Sequence, residues 1–228
     1  MYSQLQRVYR RIFPRLMFQV IGRYLPRKRK LSILDIGCGN HSPTLFKMYF
    51  PACTYTGLDR VPDYNLLPED RANMDHFILM DLTAADWTQI PDNAYDLITM
   101  AHVIEHIPNG EEVITHLWQK LKPGGYLYIE TPREKSLFLP SMPGTLNFFD
   151  DPTHVRLYTP VEIANHLLQL NAEVVRMRVA RNWRRLIFMP VLLVLHLIFK
   201  GTIRRGALWW DLTGFAYYVL ARKPMKGA

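Results

Sequence analysis

The chain has 228 residues, 49% of them hydrophobic, enough for one domain with a full core and too few for two. Its two cysteines, Cys38 and Cys53, form no CxxC pair and have no histidine cluster beside them, so neither a disulfide framework nor a metal site is expected, and a reducing, cytoplasmic setting is. The net charge of +8 is unevenly spread: residues 1–30 carry nine Lys/Arg and residues 174–210 eight, with no acid in either stretch, which leaves −9 on the rest.

From residue 8 to 25, Val8, Ile12, Leu16, Val20 and Tyr24 recur every four residues among Arg7, Arg10, Arg11, Arg15 and Arg23, a helical spacing that Pro14 breaks or kinks. Residues 26–30 read as an exposed basic linker. They close a basic amphipathic segment, 1–30, ahead of the main domain, 31–228. This N-terminus lacks the long apolar core and small-residue cleavage site of a secretory signal. Short apolar runs then end at polar residues: 32–36 at a Gly-rich turn, 55–58 at Asp59, 77–80 at Asp81, 95–100 at Ala101-His102, and 126–130 at Thr131-Pro132. Near-continuous apolar strands separated by helical stretches predict an α/β fold with a parallel sheet covered on both faces. Residues 111–121 have helical periodicity and stop at Lys122-Pro123-Gly124-Gly125. Residues 133–158 read as loop. Thr159-Pro160-Val161-Glu162 carries N-cap and Pro-N1 chemistry for a helix to residue 170. Residues 173–179 and 215–221 read as the last two strands, with an apolar and basic insertion at about 184–214 between them.

In an open parallel sheet, ligands bind beyond the carboxyl ends of the strands, where every polar residue singled out above is expected. Gly37 and Gly39 let the backbone turn sharply and approach a ligand. Asp59 can accept from two ribose hydroxyls, and Asp81 can meet an adenine amino group. The dinucleotide fingerprint GxGxxG fails, because Asn40, His41 and Ser42 follow Gly39.

The ordered series Leu34-Asp35-Ile36-Gly37-Cys38-Gly39-Asn40, Gly57-Leu58-Asp59, Met80-Asp81-Leu82, Tyr95-Asp96-Leu97-Ile98, His102-Val103-Ile104-Glu105-His106-Ile107 and Leu121-Lys122-Pro123-Gly124-Gly125 resembles the class I S-adenosylmethionine-dependent methyltransferases, and within them the small-molecule type 11 branch that includes quinone methylases. The resemblance covers roughly residues 31–180 and the last strand. It implies a Rossmann-like, seven-stranded, mostly parallel sheet whose last strand is antiparallel, with S-adenosyl-L-methionine as cofactor. Asp35, Gly37 and Gly39 would cradle its methionine part, Asp59 would hold its ribose, Asp81 and Leu82 would flank its adenine, and His102 would line the methionine side; Cys38 and Arg60 join the cofactor-binding set, with a small packed residue as the alternative for Cys38. Residues 151–158 resemble the loop that covers the acceptor pocket. Asn40 departs from the family's small residue and glycine at that point.

A sulfonium methyl group is already activated, so the enzyme must mainly align an acceptor, and an oxygen acceptor gains from a nearby base. His106, His154 and Glu105 are the candidates, with capping or loop hydrogen bonding as the alternative. Residues 186–199 are almost wholly apolar and flanked by Arg184, Arg185, Lys200, Arg204 and Arg205. Fourteen helical residues span about 21 Å, less than the roughly 20 residues a bilayer core needs. The stretch reads as monotopic, set into one leaflet on the inner face of the membrane, with Trp209 and Trp210 at the interface and segment 1–30 on the same surface. A core helix or a homo-oligomer interface is the alternative. The expected function is methyl transfer to a small or lipid-linked hydrophobic acceptor. An RNA methyltransferase and a non-catalytic membrane-associated module are the rivals; nucleic acid is disfavoured because the basic stretches are apolar and the body around the site is acidic.

Overall fold

The computed structural model describes residues 4–141, 146–200 and 206–225. Seven strands build one sheet: β1 (Ser32–Ile36), β2 (Thr54–Asp59), β3 (His76–Leu79), β4 (Tyr95–Ala101), β5 (Leu121–Pro132), β6 (Glu173–Val179) and β7 (Ala216–Arg222). Their order is β3-β2-β1-β4-β5-β7-β6. The first five run parallel, and β7 runs antiparallel to both β5 and β6, as the resemblance implied. The direction of the chain reverses between β3 and β4, on the two sides of β1, so the carboxyl ends of β1, β2 and β4 open on one crevice.

The sheet is covered on both faces because its central strands are apolar on both. Leu34, Ile36, Ile98, Met100, Leu127 and Ile129 join one core cluster with Val113, Ile114 and Leu117 of helix α5 (Gly110–Lys120) and Ile163 and Leu167 of α6 (Pro160–Gln169). Ile33, Tyr55, Leu97 and Tyr128 join the other, with Phe46 of α3 (Ser42–Tyr49).

The N-terminal segment divides at Pro14 into α1 (Gln4–Ile12) and α2 (Leu16–Ile21). The two halves differ. On α1, Val8 and Ile12 are exposed, whereas Met17, Phe18, Val20 and Ile21 of α2 are buried in the second cluster, with Phe18 stacked on Tyr49 at 4.5 Å. The apolar face of α2 is therefore part of the domain core and is closed to any external surface. A short α4 (Pro68–Ala72) lies between β2 and β3.

The insertion holds three helices, α7 (Trp183–Ile187), α8 (Met189–Lys200) and α9 (Gly206–Thr213). The apolar run from residue 186 is divided at Phe188 between α7 and α8, and Pro190 falls in the first turn of α8, where its missing N–H costs nothing. Arg204 and Arg205 lie outside the described residues. No described helix is long and apolar enough to cross a membrane.

Candidate active site

The turn after β1 is shaped by contacts that exclude side chains. Gly37 has φ +72°, and a Cβ there would stand 2.4 Å from Val103 Cγ2. At Gly39 a Cβ would meet the Tyr64 ring at 2.6 Å and its carbonyl at 2.7 Å, because the loop after β2 lies against the turn. The Gly37 and Cys38 amides donate to the Leu58 carbonyl at 2.8 and 3.3 Å, fixing the turn to the end of β2. Asn40, where the sequence departs from the family pattern, adopts φ +53°. Its amide donates to the Tyr64 carbonyl at 3.2 Å, and its side-chain oxygen accepts from Asn65 at 2.7 Å. Asparagine tolerates left-handed backbone, so this residue joins two loops where a glycine would only turn.

Asp35 is 3% exposed, and its carboxylate accepts from the hydroxyls of Ser42 at 2.6 Å, Tyr55 at 2.7 Å and Thr99 at 2.5 Å. It ties β1, β2, β4 and the start of α3 together beneath the glycine turn. Burial pushes its carboxyl above the ordinary carboxylate value, with the three hydroxyls and Arg15 pulling the other way. Cys38 is wholly buried beside it, and burial with the Asp35 charge pushes its thiol well up, so it is a packed residue with no thiolate character.

At the end of β2, Asp59 Oδ1 accepts from the Val61 amide at 3.0 Å, and among the described residues Oδ2 accepts no hydrogen bond. Asp81 follows β3 and caps a single 3-10 turn, accepting from the Thr83 amide and hydroxyl at 2.9 and 2.8 Å. Those two bonds hold it below the usual carboxylate value, aided by the Arg60 charge. Leu82 beside it is buried in the core. Two strand-end carboxylates next to a close-approach glycine turn fit a ligand with a ribose diol and an exocyclic amine.

His102 stands at the end of β4 in left-handed backbone, φ +57°, its amide donating to the Glu130 carbonyl at 2.8 Å. Its ring lies between two carboxylates, with Nδ1 3.3 Å from Glu105 Oε1 and Nε2 3.5 Å from Glu130 Oε1. Burial pushes the imidazolium down, but the hydrogen bonding and charge of Glu105 and Glu130 outweigh it and raise the group to about 10. Glu130 also accepts from the Tyr128 hydroxyl. Over this group, α9 forms a wall, with Trp210 5.1 Å from the His102 ring and stacked on Phe215 at 4.8 Å.

The segment before α6 folds across the same end. The Glu105 carbonyl accepts from the Val155 and Arg156 amides at 2.9 and 3.2 Å. Arg156 pairs bidentately with Glu111 at 2.9 and 2.5 Å, and the Tyr158 hydroxyl donates to the Ile107 carbonyl at 2.6 Å. His154 is thereby brought 4.8 Å from His106, ring to ring, and its Nε2 stands 4.0 Å from Glu105 Oε1. The three residues nominated as catalytic candidates from the sequence meet in one place. Asp151 accepts from the amide and hydroxyl of Thr153 at 2.9 and 2.6 Å and shapes this loop.

No sequence pattern announced Thr99, Tyr55 and Ser42 as anchors of Asp35, Glu130 as the second carboxylate on His102, or Trp210 as the wall. Only Thr99 left a trace, as a polar residue inside an otherwise apolar strand.

A family model described as a methyltransferase domain matches residues 4–177. A trans-aconitate 2-methyltransferase of Methylobacterium radiotolerans is 33% identical over 100 residues, 43% of this chain and 37% of that protein. A ubiquinone biosynthesis O-methyltransferase of Hydrogenovibrio crunogenus is 30% identical over 109 residues, 44% of this chain and 42% of that protein. The chain thus spans less than half the length of these curated relatives. Among solved structures, a SAM-dependent methyltransferase from Archaeoglobus fulgidus superposes with a TM-score of 0.59 at 21% identity, covering 95% of this chain and 98% of that one. A Burkholderia thailandensis 1,6-didemethyltoxoflavin-N1-methyltransferase with bound S-adenosylhomocysteine superposes at 0.57 and 15% identity, covering 91% and 76%.

Proposed function

Since the chain belongs to the class I S-adenosylmethionine-dependent methyltransferase family, we propose that it transfers the cofactor's methyl group to a small hydrophobic or lipid-linked acceptor at an anionic membrane surface. The bound cofactor supplies a methyl group on a sulfonium, which needs no further activation. The chain's residues then have to bind, orient and keep water out. In this reading Gly37 and Gly39 admit the methionine part, Asp59 with its open Oδ2 takes the ribose, Asp81 and Leu82 border the adenine, and His102 lines the methionine side. His106, His154 and Glu105 face the acceptor under the loop that Arg156 and Tyr158 hold down.

The observation that carries the acceptor class is the outward face of α7 and α8. Ile187 is 72% exposed and Ile198 68%, and Phe188, Val191, Val194, Leu195 and Leu197 are exposed with them. An apolar patch of this kind on a monomer's surface marks an interaction site. The same insertion continues into α9, whose Trp210 walls the His102 side, so a lipid-facing helix and the acceptor end of the site belong to one structural unit. The exposed Arg184 and the basic α1, followed by Phe13, which meets Phe188 edge-on at 5.7 Å, border the patch with positive charge.

Two measurements test the reading separately. Calorimetry should detect S-adenosylhomocysteine binding by the parent and its loss in Asp59→Ala; a folded parent that does not bind removes methyl transfer altogether. Co-sedimentation with phosphatidylglycerol vesicles should carry the protein into the pellet, and protein left in the supernatant removes the membrane surface while leaving methyl transfer standing.

A further inference from the structure

We infer that Glu105, His106 and His154 form a binding site for a divalent transition-metal ion on the acceptor side of the cleft. One ligand atom from each lies within 4.8 Å of the others. A metal here departs from the sequence-based expectation of none and goes beyond the methyl-transfer reading, on which it depends only for what the ion would do.

Geometry alone would leave three polar side chains near one another by chance; their other hydrogen bonds argue otherwise. The Thr153 hydroxyl spends its proton on Asp151 Oδ1 at 2.6 Å, so toward His106 Nδ1, 2.9 Å away, it can only accept. The Thr153 carbonyl, 3.1 Å from the same nitrogen, can also only accept. His106 therefore carries a proton on Nδ1, so Nε2 is the nitrogen that can face an ion. His154 follows the same rule, because its Nδ1 lies 2.6 Å from the Phe148 carbonyl and must donate to it. Two imidazoles, each with the Nδ1 proton committed to the backbone, are oriented as metal ligands are, with the second partner fixing tautomer and ring angle.

The third member supplies the charge. Glu105 is 1% exposed, and among the described residues its Oε1 accepts no hydrogen bond, although Oε2 takes one from Thr131 at 3.1 Å. That Oε1 pairs with His102 Nδ1 at 3.3 Å on the cofactor side and stands 4.0 Å from His154 Nε2 on the acceptor side, so the buried carboxylate faces both histidines. Two imidazoles and one carboxylate suit Mn2+, Fe2+, Co2+ or Zn2+ rather than Ca2+ or Mg2+, which favour all-oxygen shells. Three protein donors leave coordination positions for water or for the oxygens of an acceptor. An ion here would hold a hydroxyl or carboxylate of the acceptor one side chain away from His102.

The test uses the full chain dialysed against EDTA and titrated with Zn2+ and, in parallel, with Co2+, whose visible bands report imidazole and carboxylate ligation. One equivalent should bind, His106→Ala and His154→Ala should each weaken it at least about tenfold, and the double variant should abolish it. S-adenosylhomocysteine binding by each variant verifies that it is folded and keeps this test apart from that of the cofactor. In the parent, Zn2+ should shift the imidazole 15N resonances of His106 and His154, with a smaller shift at His102, which touches Glu105, and leave the other five histidines in place; this readout decides the matter even if a variant does not fold. Absence of stoichiometric binding, or binding that moves histidines remote from Glu105, or a double variant that binds as tightly as the parent, would overturn the site.

Discussion

Asp35 joins three strands and the start of α3 beneath the glycine turn, and its setting has a pH signature. Burial lifts its carboxyl above the ordinary value, and the hydroxyls of Ser42, Thr99 and Tyr55 with the Arg15 charge only partly offset this. A carboxyl that holds its proton more tightly in the folded than in the unfolded chain stabilises the protonated protein. That contribution is complete below the unfolded pKa of about 3.9 and is lost as pH rises through the raised folded value. Asp35→Asn keeps an acceptor for the hydroxyls and removes the titration. The unfolding free energy of the parent minus that of Asp35→Asn, from urea titrations, should therefore fall as pH is raised from about 4. A difference that is flat or rises over that range would show that burial does not raise the carboxyl. The three donors come from positions 7 to 64 residues away in sequence, so no local pattern could have announced them. His102 is a mixed case. Glu105 lies three residues on and was in view, whereas Glu130 is opposite only because β4 and β5 pair in register, Ala101 against Glu130.

At the scale of elements, α6 is the clearest instance of a local code that survives into the fold. Thr159 Oγ1 accepts from the Glu162 amide at 3.1 Å, and the Glu162 carboxylate accepts from the Thr159 amide at 2.7 Å, with Pro160 in the first turn. The box starts the helix that buries Ile163 and Leu167 against the sheet, directly after the loop carrying His154. Thr159→Ala should cost about 1 kcal/mol in the urea unfolding free energy, the usual loss for an N-cap, without changing the denaturant slope. An unchanged midpoint would mean that Pro160 and packing alone start α6. Strands were equally legible, because each apolar run ends at a polar residue that the cleft uses. The insertion was not. A run such as residues 186–199 carries no internal contrast, so its break at Phe188 is set by tertiary anchors. Asn182 caps α7 through the Arg185 amide at 3.4 Å while its own side chain donates to the Pro14 carbonyl at 2.7 Å, and Asp211 of α9 accepts from the Asn182 amide at 2.9 Å and pairs with Arg185 at 2.7 Å.

Across the whole molecule, that buried clamp gives the insertion its meaning. Asn182, Arg185 and Asp211 hold α7 and α9 to the body and to the N-terminal segment, while α8 is carried outward with Leu192 buried and Val191, Val194, Leu195, Leu197 and Ile198 exposed. Twelve residues of helix extend about 18 Å, too short to cross a hydrocarbon core of about 30 Å but long enough to lie in one leaflet. Replacing exposed apolar residues there should leave the fold intact, because they pack on nothing that the body needs. Ile187→Glu with Ile198→Glu should change the unfolding free energy by no more than about 0.5 kcal/mol per site and leave S-adenosylhomocysteine affinity at the parent value. The same pair places two carboxylates among apolar side chains and against anionic headgroups, so binding to phosphatidylglycerol vesicles should be lost. If α8 instead joins two copies of the chain, the parent will sediment as a dimer in the ultracentrifuge and the double variant as a monomer, with vesicle binding absent from both. Vesicle binding that persists in the double variant would move the membrane contact away from α8, to the basic and half-exposed α1.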